Sequence, residues 1–173
     1  MAEPQAGGAA ERARLFEQLE RSWLALGERE LAGEAALQLA ALRYVDLEQW
    51  SEAGAAAGRA ADALRGSGAA KEQADATLLR GIAASELSRA RGKADVAALG
   101  TILEARRQYQ SLQLPVAAAE ALNYAGMAQF YQAEVAAAVN SFAEAADEFR
   151  RAAANAPRRA VLQNLAVVQT DRG

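Results

Sequence analysis

The side chains that could do chemistry in this chain are carboxylates, arginines and amides. The sequence has no cysteine and no histidine, which excludes thiolate nucleophiles, disulfides, and imidazole as a base or a metal ligand. Carboxylates could still act as acids or bases, but none of the 22 Asp and Glu residues has an obvious partner in an apolar setting. We therefore expect that the chain is not an enzyme, and that it binds no metal or cofactor.

Arginine is the other reactive side chain with a visible pattern. Three adjacent pairs occur in the second half of the chain: Arg106–Arg107, Arg150–Arg151 and Arg158–Arg159. These pairs could recognise an acidic partner. The alternative is that they are solvated, with Arg150 and Arg151 placed favourably at the negative end of a helix dipole.

The elements that carry these side chains are predicted to be helices. Alanine makes up more than a quarter of the sequence, and leucine, glutamate and arginine follow it. These residues favour helices because they lose little side-chain entropy there. Aromatic residues are only 6% of the chain and there are three prolines. The prediction is an all-α fold of seven or eight helices, stacked as antiparallel hairpins because the connecting turns are short.

The net charge and the hydropathy of the chain limit the classes of partner and the cellular location that can be expected. The net charge is −3, whereas a general nucleic-acid binder needs a basic face to displace counterions, so no nucleic-acid partner is expected. No apolar run is long enough to span a bilayer, so no membrane partner is expected. We expect a cytoplasmic protein. A signal peptide trimmed before Met1 is the alternative, and the sequence does not decide between the two.

The chain is predicted to contain a terminal segment followed by helical repeats. Residues 1–8 are expected to be disordered and residues 9–29 to form an N-terminal helix that starts near Ala10. Repeats then follow at about 30–68, 70–113 and 116–156, with a partial one at 157–173. The segment "LQNLAVV" near the end is apolar enough to need a partner. We therefore expect a fragment of a longer protein, or a homodimer formed through this last helix.

An internal repeat carries most of the interpretation. Three predicted helices share one pattern, in which a small residue is followed by an apolar residue, a second small residue and a large one. The three sets are Ala53, Ala57, Ala60 and Leu64; Ala98, Ile102, Ala105 and Tyr109; and Ala138, Phe142, Ala145 and Phe149. Small residues let a neighbouring backbone approach, and the larger ones fill the space beside it. The helices between them align less well, through Leu122, Ala125 and Gly126 with Leu162, Leu165 and Ala166.

These residues resemble the tetratricopeptide repeat family. Residues 121–149 match its signature best, with Gly126, Ala138, Phe142 and Ala145 in the expected places, and residues 37–64 match through Tyr44, Trp50, Ala53 and Ala60. The resemblance covers roughly residues 30–173 and implies a right-handed α-solenoid. The period of 40 to 45 residues departs from the 34 of the family, and the closing proline is displaced.

The resemblance also implies a binding surface. In such a stack the first helix of each pair lines a concave groove, which here would present Gln38, Leu42, Asn123, Met127, Phe130, Tyr131, Gln163 and Val167. This surface could hold an extended or helical peptide, with methionine and aromatic side chains as anchors. The alternative is that several of these residues only serve the core. Gln38 and Leu42 do not support the lysine- and asparagine-rich clamp by which some family members grip a terminal carboxylate.

Two functional hypotheses follow. The first is a protein-interaction scaffold that binds a protein or peptide in the groove. The alternative is an architectural or regulatory arm for a separate effector domain beyond the C-terminus, with no groove ligand. The alanine-rich style also resembles bacterial arrays that precede caspase-like protease domains, so that effector could be a protease.

Overall fold

The computed structural model describes residues 3–170 of the chain, with side chains described from Gly8 onward, and this part is entirely helical. It contains eight helices and no strand, as the sequence predicted. The helices are α1 (Glu3–Ala25), α2 (Arg29–Val45), α3 (Trp50–Ala63), α4 (Ala70–Arg91), α5 (Val96–Ser111), α6 (Pro115–Tyr131), α7 (Val135–Arg151) and α8 (Asn155–Thr170).

The main difference from the prediction is at the N-terminus. Helix α1 begins at Glu3 rather than near Ala10, so it includes residues predicted to be disordered; Met1 and Ala2 lie outside the described residues. Pro115 is the first residue of α6. Proline is tolerated there because the first helical N–H has no partner within the helix.

The turns of the second half repeat every 20 residues. Gln113, Ala133 and Ala153 follow α5, α6 and α7, and all three have a positive φ, of 57°, 61° and 55°. In the turn after α6, the Glu134 N–H donates to the Gln129 carbonyl at 2.9 Å. This bond and its equivalents after α5 and α7 form the Schellman end, which satisfies free helix carbonyls through a left-handed residue. Two helix-and-turn modules give the forty-residue spacing seen in the sequence.

The chain divides into two compact units, residues 1–87 and 88–173, and the division falls within α4. In unit 1, α2 packs against both α1 and α3. Its core is built largely from alanine, in two clusters: Ala9, Ala13, Leu39, Ala40, Leu42, Ala56 and Ala57, and then Ala36, Ala60, Ala61 and Ala76. Small side chains let these helices approach closely. A Cβ added at Gly33 would lie 2.6 Å from the Leu64 side chain.

In unit 2, α5 packs against α6, α6 against α7, and α7 against α8. Larger side chains fill its core, namely Ile102, Tyr109, Phe142, Phe149 and Val161. The repeat columns predicted in α3, α5 and α7 are buried at all twelve positions. The sequence pattern therefore identified the packing faces of these three helices correctly.

Helix α8 turns the same face inward as α6. Val161 and Val168 are the buried residues of α8, and the residues forty positions earlier, Ala121 and Ala128, are buried in α6. Leu122 and Gly126 are also buried in α6, whereas their counterparts in α8, Leu162 and Ala166, are exposed. This second side of α6 packs against α7, where Gly126 meets Phe142, and no described helix packs on the same side of α8. The alignment with α6 therefore holds for the face that α8 packs against its neighbours.

Candidate binding groove

Four of the predicted groove residues, Met127, Phe130, Tyr131 and Val167, line one open cavity in unit 2. Met127, Phe130 and Tyr131 come from the last turns of α6 and face the second half of α8 across a cavity of about 170 Å³. The complete lining is Met127, Phe130, Tyr131, Phe142, Asn164, Val167 and Val168. We call this cavity and its lining the groove. Six of its seven side chains are apolar or aromatic, so its chemistry suits an apolar group.

One amide pair provides most of the polar character near the groove. Asn164 Nδ2 donates to Asn123 Oδ1 at 3.0 Å, which links α8 to α6. Asn123 does not line the groove itself, but it orients the Asn164 amide that does. An amide has two donors and an acceptor with two lone pairs. The pair therefore keeps hydrogen-bonding capacity for a ligand after forming its own bond.

Two aromatic rings and an arginine form one end of the groove. The ring centroids of Phe130 and Tyr131 are 6.4 Å apart and tilted by 49°, which is a favourable aromatic contact. The Arg89 guanidinium lies over the Tyr131 ring, 5.4 Å from its centroid. At this distance the guanidinium is attracted to the face of the ring, so a cation lies beside the apolar cavity.

The other predicted groove residues do not belong to this cavity. Gln163 is exposed on α8, and Gln38 is exposed on α2 in unit 1. Leu42 is only 8% exposed, in the core cluster that contains Ala9 and Ala13 of α1. The placement of Leu42 on an open surface was therefore wrong, because α1 covers this part of α2.

Sequence reasoning did not place four residues of the site in the groove, namely Phe142, Asn164, Val168 and Arg89. Phe142 was correctly identified as a core residue, but it also forms a wall of the groove. Val168 was not singled out, although it lies forty residues after Ala128, which is buried in α6. Arg89 lies 42 residues before Tyr131 in the sequence, and no local pattern connects the two. The one available signal was the helical spacing of Val161 and Val168.

A second feature of the structure is a partly buried salt bridge between helices in each unit. In unit 1, Arg59 of α3 donates two hydrogen bonds to the buried Glu20 carboxylate of α1, at 2.6 and 2.9 Å. The hydrogen bond to Glu20 raises the pKa of Arg59, with its burial acting in the opposite direction. A cavity of about 250 Å³ lies beside this pair.

In unit 2 the corresponding bridge joins α5 to α7. Arg106 Nη2 lies 2.6 Å from Glu144 and 2.7 Å from Glu148. Burial lowers the pKa of Arg106, but the hydrogen bonds and charges of the two carboxylates raise it further, so the net shift is upward. Glu148 also lines a cavity of about 380 Å³ at the ends of α5 and α7, with Gln110 and Arg151.

The arginine pairs predicted from the sequence have different environments. Arg106 is largely buried in the bridge to α7, so the solvated interpretation was wrong for it. Arg107, Arg150, Arg151 and Arg159 are exposed. Arg158 is half-buried, and its Nε has no hydrogen-bond partner. The six arginines therefore differ in exposure and do not form one uniformly exposed basic surface.

Comparison of the chain with known protein families and with curated proteins finds no match. Among the helices that the structure describes, none is long and apolar enough to cross a membrane.

Proposed function

We propose that this chain is a protein-interaction scaffold of the tetratricopeptide type, which holds a peptide segment of a partner in the groove of unit 2. The observation that carries this proposal is the convergence of Met127, Phe130 and Tyr131 with α8 on one open, mostly apolar cavity. Exposed apolar concavities with a few polar groups are the usual form of a ligand site. The all-α, hairpin-by-hairpin packing of unit 2 supports the same assignment.

The groove has the right chemistry for a peptide anchor. Its volume of about 170 Å³ gives room for one large aliphatic or aromatic side chain. Met127 is unbranched and can adapt to an irregular apolar surface, and the two aromatic rings supply rigid contact area. The amide of Asn164 can hydrogen-bond a peptide backbone next to that anchor. We therefore assign the anchor contact to the apolar residues and the orientation of the peptide to the asparagine pair.

The test is capture of partners from a lysate by the native chain and by variants with an added charge in the groove. Val167 lines the groove and is exposed, so Val167→Glu introduces a carboxylate there without disturbing the core. Met127→Glu places the charge deeper. The matched control is Val96→Glu, because Val96 is an exposed valine in the first turn of α5 and does not line the groove.

We expect to find partners that the native chain and Val96→Glu retain. The two groove variants should lose these partners. The far-ultraviolet circular dichroism of all four proteins should be equal. Partners retained equally by all four proteins, or no specific partner on any, would contradict the proposal and favour the architectural arm.

A further inference from the structure

A second apolar surface lies on α8, on a different side of the helix from the groove. Leu162 and Ala166 are exposed there, and Leu165 beside them is half-buried. Val167, which lines the groove, is five residues from Leu162, so the two side chains leave the helix about 140° apart. No described helix packs on the Leu162 side of α8. We call Leu162, Leu165 and Ala166 the α8 face.

Helix α6 shows what kind of element fits such a face. Forty residues earlier in the sequence, the same positions hold Leu122, Ala125 and Gly126, and all three are buried. They are covered by α7, which runs back along α6 after a short turn and brings Phe142 against Gly126. The equivalent occupant of the α8 face is therefore an antiparallel helix with an apolar side.

The first helix of unit 1 has an unpartnered apolar side of this kind. Leu15 and Leu19 of α1 are 53% and 44% exposed, and Leu26, which continues the helical hydrogen bonding just after α1, is 70% exposed. Their spacing of four and seven residues places them on one side of the helix. The side that packs against α2 carries Ala9 and Ala13 instead. We call Leu15, Leu19 and Leu26 the α1 face, an exposed apolar patch of the sort that marks an interaction surface.

The charges beside the two faces are opposite in sign. The described part of α8 carries Arg158 and Arg159 near its start and no carboxylate. Glu28, Arg29 and Glu30 follow the end of α1, and the Arg29 guanidinium donates to a backbone carbonyl of α3. In an antiparallel contact the start of α8 meets the end of α1, so two arginines lie beside a net negative charge. Unit 1 as a whole has nine Arg and Lys against fourteen Asp and Glu, and unit 2 has ten against eight, which gives net charges of −5 and +2.

The neighbouring charges leave this opposition in place. In the last turns of α7, Asp147 pairs with Arg150, and Arg151 offsets the second carboxylate of the Arg106 bridge. From Gly8 onward, the charged residues of α1 either form ion pairs or offset one another. Arg12, Glu17, Glu20 and Arg21 belong to the first group, and Glu11 and Arg14 to the second.

We infer that copies of this chain associate head to tail, with the α1 face of one copy packed antiparallel on the α8 face of the next. The contact gives α8 the helix partner that α7 is to α6. Because the two faces are different surfaces, every contact leaves one face of each kind open, and further copies can add. The groove stays open, since it lies on another side of α8. This inference does not depend on the proposed function.

The experiment is sedimentation equilibrium of the native chain, of Leu19→Glu, of Leu162→Glu, and of an equimolar mixture of the two variants. Leu19→Glu places a charge on the α1 face and leaves the α8 face intact, and Leu162→Glu does the reverse. The two leucines are 44% and 42% exposed, so neither substitution enters the core. Leu15→Glu or Ala166→Glu, on the same faces, replaces a variant whose circular dichroism departs from that of the native chain. Val167→Glu is the control, because it adds the same charge to α8 on the groove side.

We expect the average mass of the native chain and of Val167→Glu to rise with concentration beyond twice the 18.2 kDa of one chain. Each face variant alone should stay monomeric, and the mixture should reach a twofold mass and stop there, because only one intact pair of faces remains. Self-association of either variant alone would reveal a contact between two identical faces and overturn the inference. A native chain that stays monomeric up to its solubility limit, or a mixture that stays monomeric, would overturn it as well.

Discussion

Glu20 and Arg59 form an ion pair, with the carboxylate buried and the arginine about half exposed, that joins the first helix of unit 1 to the third across 39 residues of sequence. Arg106 and Glu144 make the corresponding link between the first and third helices of unit 2, with the charges reversed. The first helix therefore carries the carboxylate of this pair in unit 1 and the guanidinium in unit 2. Like charges would meet if one helix replaced the other.

The two members of the Glu20 pair should not be equally important. Arg59→Ala leaves a buried carboxylate without its partner and should lower the free energy of unfolding by about 2 kcal/mol. Glu20→Ala should have a smaller effect, because Arg59 is about half exposed and can return to water. Urea denaturation followed by circular dichroism measures both variants. A larger loss for Glu20→Ala would show that packing of the Glu20 side chain, and not its charge, is what matters.

The two carboxylates that bind Arg106 should also differ in their contribution. Glu148 is 19% exposed and Glu144 is 54% exposed, and exposed pairs contribute between about 0 and 1 kcal/mol. We therefore expect Glu148→Gln to destabilise the protein more than Glu144→Gln. Arg106→Ala should exceed both, since it leaves two carboxylates facing each other. Thermal unfolding of the three variants under one buffer condition gives the order, and a reversed order for the two glutamates would contradict this account.

Glycine substitutions in the turns after α5, α6 and α7 should stabilise the protein. Ala133 has φ of 61°, a conformation in which glycine avoids a steric penalty of about 1–2 kcal/mol. Part of this gain is lost because glycine makes the unfolded chain more flexible. We expect Ala133→Gly to raise the free energy of unfolding by about 0.5–1 kcal/mol.

The control for this prediction is Ala143→Gly, at an exposed position inside α7. There glycine should destabilise the protein by about 1 kcal/mol. The urea midpoints of the two variants should move in opposite directions at constant slope. A loss of stability in both would mean that the left-handed turn is not strained.

Gly126 should resist replacement although it lies in the middle of a helix. An added Cβ would lie 2.8 Å from Phe142 Cε1 and 2.9 Å from Cδ1, so Gly126→Ala overpacks the α6–α7 contact and should destabilise it by about 1–3 kcal/mol. Gly100→Ala is the control. Nothing lies within 4 Å of its added Cβ in α5. The higher helix propensity of alanine should therefore raise the free energy of unfolding by about 1 kcal/mol.

The outcome for Gly126 can be assigned to Phe142 by a double substitution. The double variant Gly126→Ala, Phe142→Leu should lose less free energy of unfolding than the sum of the losses in the two single variants, because the smaller side chain makes room for the methyl group. Additive losses would show that Phe142 is not the obstacle.

Much of the fold could be predicted because helix formation is local. Alanine content and the spacing of apolar residues identified the helices. The repeat columns of α3, α5 and α7 identified their buried faces, since one helical period places those residues on one side. At α8 the alignment with α6 was informative for one side only. Val161 and Val168 are buried, like Ala121 and Ala128 of α6, but Leu162 and Ala166 are exposed because no described helix packs on their side.

The candidate groove was predicted only in part, because local spacing does not show which surfaces are covered by other helices. Met127, Phe130 and Tyr131 could be placed together, because they lie within two turns of one helix. Leu42 follows the same local pattern, yet it is covered by α1. Arg89 could not have been assigned, because its contact with Tyr131 depends on how the end of α4 meets the end of α6.

Residue order alone shows that this protein is all-helical, that its helices come in modules of similar length, and which residue types are available for chemistry. These properties depend on interactions between residues a few positions apart, which composition and spacing record directly. The packing of the helices, in contrast, places Leu42 in the core, brings Glu20 to Arg59, and sets a cation at the end of the groove. Such contacts join residues tens of positions apart, and they follow from how neighbouring helices pack, which no local pattern specifies.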